Sequence, residues 1–102
     1  MIIYNKLIRD RIPEIIEKSG KKFTIEKLND EEYLKCLNLK LQEELNEYLE
    51  DNSVDELADL VEVIHAILKH KNVSYSDFEK IRLDKKGKRG GFEEKLFLKT
   101  VE

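Results

Sequence analysis

Two apolar-periodic stretches joined by only Asn52-Ser53 constrain the fold of this chain more than anything else in it. Each stretch opens on a capping signal. Asn29 stands three residues before Glu32, and Ser53 three residues before Glu56. A short polar side chain there can accept from a free N–H of the first turn, and the acid can reach back. Behind the first signal, Leu34, Leu37, Leu41, Leu45 and Tyr48 recur at helical period. Behind the second come Leu57, Leu60, Val61, Ile64, Ile67 and Leu68. The pattern predicts one helix to about Asp51 and another from Ser53 to about Lys71. So short a connection makes them antiparallel neighbours.

The flanking segments are weaker signals. Arg9–Ser19 predicts a short helix closed by Gly20, with Asp10 as a cap and Pro13 in the first turn, where a missing N–H costs little. Met1–Leu7 and Lys21–Leu28 have no helical period. Ser76-Asp77-Phe78-Glu79 predicts the opening of a fourth helix that ends before Gly87. Lys85–Gly91 then reads as a basic, Gly-rich loop, and Phe92–Val101 as a short terminal strand. The expected fold is all-α: a small helical bundle with two long antiparallel central helices and short extended segments near the ends.

Composition sets the limits. The chain has 102 residues, enough for one domain with a modest core. Charged and apolar residues each make up 40%, and the apolar ones fall in periodic blocks, which excludes a disordered chain. A net charge of −3 gives no global attraction for nucleic acid or acidic membranes. The lone Cys36 excludes an internal disulfide and a Cys-rich zinc site, and suits a cytoplasmic protein. No apolar run reaches the roughly 20 residues that span a bilayer, and no signal peptide is expected.

Chemistry concentrates in the two central helices. The first carries Glu43, Glu44 and Glu47, the second Glu56 and Asp59. Residues three apart share a helix face. Glu44 falls only about 20° from Leu37 on an ideal wheel, at the edge of the buried stripe. Glu56 and Asp59 sit at a margin of the second apolar face, near Val63. Two such acidic flanks can converge. Carboxylates held close together repel and raise one another's pKa, and a divalent cation relieves that. All-oxygen ligands suit Mg²⁺, Mn²⁺ or Ca²⁺ rather than zinc. Two plainer readings stay open: Glu44 paired with Lys40, and Glu56 serving only as the capping partner of Ser53.

At these residues the run KLQEELNEYLEDNSVDELADLVEVIHAIL resembles the all-α nucleotide pyrophosphohydrolase superfamily. That superfamily includes MazG-like house-cleaning enzymes and phosphoribosyl-ATP pyrophosphohydrolase. Its signature is E-x-x-E on one helix and E-x-x-D on the next. The opening YNKLIRDRIPEII and the late KRGGFEEKLFL look like the two ends of one small MazG-like branch. The resemblance implies a single MazG-like domain over residues 1–102, with Glu44, Glu47, Glu56 and Asp59 as Mg²⁺ ligands. Glu43 would then be a general base or support the ligands. The short connection between Glu47 and Glu56 departs from longer members, so their base-recognition residues are not carried over.

Basic residues supply candidate phosphate contacts. Arg89-Gly90-Gly91 combines a bidentate cation with glycines that let backbone N–H groups approach an anion. Lys6 and Arg9 could neutralise the same polyphosphate, as the branch resemblance also suggests, and Lys40 would join them. His65 and His70 point to different sides of the helix and make a poor metal pair. The second central helix is apolar over nearly half its circumference, more than one neighbour covers, so a homodimer or higher homo-oligomer is expected. The function expected is Mg²⁺-dependent hydrolysis of nucleoside triphosphates, non-standard or in excess, to a monophosphate and pyrophosphate. Mn²⁺ is an alternative metal. The rivals are phosphoribosyl-ATP pyrophosphohydrolase, whose frequent companion domain is not expected here, and a non-catalytic helical module that binds a nucleotide.

Overall fold

The computed structural model describes residues 1–102 and is all-helical. Four helices follow one another: α1 (Ile12–Lys18), α2 (Asp30–Asp51), α3 (Val54–His70) and α4 (Tyr75–Arg89). The two long ones, α2 and α3, pack along each other and form the centre of a small bundle.

The hairpin begins and ends where the capping residues dictate. The Asn29 side chain accepts from the Glu32 N–H at 2.8 Å, and Ser53 Oγ accepts from the Glu56 N–H at 3.3 Å. Between the helices Asn52 takes a left-handed conformation, φ 55°, and its N–H closes onto the Tyr48 carbonyl. Asparagine tolerates that region better than most residues, so the chain reverses without a longer loop. Three residues are buried: Leu37 at 2% exposure, Val63 at 7% and Glu44 at 7%. Two apolar side chains and a carboxylate thus form the centre of the hairpin.

Outside the hairpin several boundaries differ from expectation. α1 is shorter than Arg9–Ser19, and its N-cap is Arg11, with no side-chain hydrogen bond, rather than Asp10. Gly20, at φ 83°, does close it, its N–H bonding to the Glu17 carbonyl at 3.0 Å. α4 is capped by Ser74, whose Oγ accepts from the Asp77 N–H, not by Ser76. It also continues through Gly87 to Arg89, so most of the expected basic loop is helix. One exposed glycine costs a helix only about 1 kcal/mol, and the flanking lysines and arginines are good helix formers. Lys88 also pairs with Asp84 one turn back, at 3.2 Å. The helix stops at Gly90, again at φ 83°. Residues Phe92–Val101 form no strand, because no other extended segment pairs with them.

The molecule is long and thin. Its radius of gyration is 18.2 Å and its extents are 61 × 31 × 24 Å. A compact chain of this length would have a radius of about 13 Å. α4 meets α3 only near its start, where Tyr75 lies against His65, ring centroids 5.0 Å apart. No helix is long and apolar enough to cross a membrane.

Candidate metal centre

The acids converge as the wheel requires. One carboxylate oxygen from each of Glu44, Glu56 and Asp59 falls within 4.8 Å of the others, so these three side chains could hold a metal ion. Glu44 comes from the middle of α2, and Glu56 and Asp59 from the first turns of α3. The tight turn at Asn52 brings those stretches side by side. Glu47 stands outside this set, beside Glu44.

Electrostatics mark the cluster as incomplete. Glu44 Oε1 lies 3.4 Å from the Lys40 ammonium, whereas Glu44 Oε2 is buried with no partner. Glu56 Oε2 is likewise buried and unpartnered. Orphaned buried oxygens of this kind cost about 1–3 kcal/mol each, more when charged. Burial pushes the Glu44 carboxyl above its usual range and the neighbouring Glu47 pushes it further, against the pull of Lys40. The two plain readings, the Lys40 pair and the Ser53 cap, are therefore both present, yet each leaves an oxygen of its acid unsatisfied. A hard divalent cation fits what remains: three carboxylates from two rigid helices, with no sulfur or imidazole among them.

The N-terminal segment lies over the same flank. Arg9 Nη2 donates to Asp59 Oδ1 at 2.8 Å, and Lys6 reaches Glu43 at 3.4 Å. Lys40 also reaches Glu43, at 3.3 Å. Burial alone would raise the Glu43 carboxyl, but Lys40 and Lys6 outweigh it and hold it below its usual range. Lys6, Arg9 and Lys40 are thus gathered at the acids, as ion-pair partners. Arg89, Gly90 and Gly91 are not. They are exposed at the far end of α4, which does not touch α2. His65 and His70 face Tyr75 and Tyr33 and do not meet.

The pairings of Arg9 with Asp59 and of Lys6 with Glu43, 50 and 37 positions apart, are the features of the site that the linear pattern did not signal. Beside Glu43, the residues Asn5, Lys6, Leu7, Cys36 and Leu39 border a cleft of about 70 Å³. Small-molecule sites usually measure roughly 300–1,000 Å³, so this cleft alone does not enclose a nucleotide.

The chain is 50% identical over 42 residues to an uncharacterised protein of Mycolicibacterium smegmatis. That stretch is 41% of this chain, and the match spans 43% of the mycobacterial protein. No family model matches the chain, and no solved structure matches it.

Proposed function

We propose that this chain is a MazG-like nucleotide pyrophosphohydrolase that requires Mg²⁺, or Mn²⁺ in its place, and works as a homodimer in the cytoplasm. One observation carries the reading. Glu44 from α2 and Glu56 and Asp59 from α3 each bring a carboxylate oxygen within 4.8 Å of the others, and Glu44 and Glu56 each keep a buried oxygen with no hydrogen-bond partner. A purely structural ion-pair cluster would satisfy them.

Glu44, Glu56 and Asp59 would hold the cation, with Glu47 beside them. When bound, the cation would supply charge neutralisation on phosphate oxygens and a lowered pKa for a water molecule. The chain's own groups do the rest. Lys6 and Lys40, now on Glu43, are placed to turn toward a polyphosphate. As they leave, Glu43 regains basicity and can accept a proton from the attacking water. Arg9, now on Asp59, is placed to turn to a phosphate oxygen, and Asp59 would then be free to help hold a cation.

The homodimer rests on a second surface. Leu45 and Leu49 on α2, and Val54, Leu57 and Val61 on α3, are exposed. On an ideal wheel each lies about 100° or more from the acids of its own helix. The hairpin therefore has an acidic flank and a wet apolar one, and a second copy of the apolar flank would cover the first.

The test is pyrophosphate release across standard and damaged nucleoside triphosphates and phosphoribosyl-ATP, with and without Mg²⁺. Metal-dependent release from the triphosphates is expected. Preference for phosphoribosyl-ATP would move the protein to histidine synthesis. Absence of release at every Mg²⁺ and Mn²⁺ concentration would reject catalysis and leave a binding module.

A further inference from the structure

From Lys80 to Glu102 every residue of the chain is exposed. The stretch is not polar. Ile81, Leu83, Phe92, Leu96, Phe97, Leu98 and Val101 are all more than half exposed. A covered phenylalanine alone buries about 150–250 Å², so these side chains approach the roughly 800 Å² per partner that a stable interface uses. In the same copy at least half of each side chain stays uncovered.

The segment is also where unpaired positive charge gathers. Arg82 is held by Glu79 and Lys88 by Asp84, but Lys85, Lys86 and Arg89 have no acidic partner. At the hairpin the balance is reversed. Glu43, Glu44, Glu47, Glu56 and Asp59 face only Lys6, Arg9 and Lys40, which leaves net negative charge.

One copy cannot join these two regions as it is folded. α4 leaves α3 at His65, nearly two turns beyond Asp59, and at about 1.5 Å per residue it carries Arg89 some 20 Å from that contact. It makes no contact with α2. Meanwhile the cleft beside Glu43 is too small to enclose a nucleotide without a further wall.

We propose that residues 80–101 are an exchanged arm: they pack on a second copy of this chain and bring Arg89 and its backbone neighbours to that copy's Glu44–Glu56–Asp59 cluster. The arm buries its apolar side chains on the partner. Its cations complete the phosphate-binding half of a site whose acidic half belongs to the other subunit. The role of Arg89 in gripping substrate rests on the pyrophosphohydrolase reading above; the docking of the arm does not.

Two measurements test it. Glu44→Gln and Arg89→Ala are each expected to impair pyrophosphate release severely. Mixed by subunit exchange, they form heterodimers in which one site has intact acids and receives an intact arm, so about a quarter of wild-type activity returns in a random two-fold mixture. No recovery on mixing overturns the exchange. The second measurement is blind to catalysis. Unlabelled and nitrogen-15-labelled protein are mixed and joined with a zero-length carbodiimide. Cross-links from the Lys85, Lys86 or Lys88 amines to the Glu43, Glu47 or Asp59 carboxylates are expected in mixed-isotope pairs. Same-isotope pairs only, or a monomer whose scattering radius stays near 18.2 Å, would overturn the proposal. If the wild type releases no pyrophosphate, the enzymatic reading fails, and the cross-links still decide the arm.

Discussion

The hairpin and the segment after Lys80 are built on opposite terms. In α2 and α3 each helix start is capped, part of each apolar stripe packs on the other helix around Leu37 and Val63, and acids from both helices meet within 4.8 Å. Beyond Lys80 the helix is held by contacts within one or two turns, and its large side chains face water. Local rules are enough to form both. Only the hairpin has the tertiary contacts that most helices of this length need in water. The difference teaches that helix content and self-sufficiency are separate properties, and that the second must be read from what covers the apolar residues.

Substitutions should separate the two regions sharply. Leu37→Ala removes the most buried side chain and should cost about 2–5 kcal/mol in urea unfolding. Phe97→Ala should change unfolding of the dilute single chain by less than about 0.5 kcal/mol while weakening self-association measured by sedimentation. Equal effects on unfolding would erase the contrast. Glu44→Gln should lower pyrophosphate release by more than about 100-fold, beyond what loss of a supporting residue costs a metal site. Its helical signal by circular dichroism should be unchanged, because one of several repelling acids has been neutralised. A collapse of helicity would make Glu44 a structural residue instead.

The pH response follows from the same carboxylate. Its folded pKa lies above the ordinary value of 4.5, so the folded state holds the proton more tightly than the unfolded one. Without metal, the contribution of this group is therefore largest below pH 4.5 and is lost as pH rises through the folded value. Thermal melts in chelator should show that decline in the wild type and not in Glu44→Gln. With Mg²⁺ present the trend should reverse, since protons compete with the cation. At the caps the effect is modest: Ser53→Ala should cost about 1 kcal/mol of hairpin stability. Ser74→Ala should fray α4 and leave the hairpin's melting temperature in place.

The same division explains what was legible in the residues. Asn29, Ser53 and the apolar period marked α2 and α3 closely, because caps and stripes are local signals with a strong physical cause. The convergence of Glu44, Glu56 and Asp59 followed from their place at the margin of those stripes. Gly87 misled, since a single glycine weakens a helix without ending it. Leu96, Phe97, Leu98 and Val101 suggested a terminal strand, but a strand exists only through a partner, and none pairs with this segment. Arg9 with Asp59 and Lys6 with Glu43 join positions far apart along the chain, and no periodicity announces such pairs.

So thin a core has a consequence for the protein's life in a cell. With only Leu37, Val63 and Glu44 sheltered, an isolated copy offers proteases a long accessible tail and little resistance behind it. If copies pair as proposed, association would shield that tail, and the chain's lifetime should rise with its concentration.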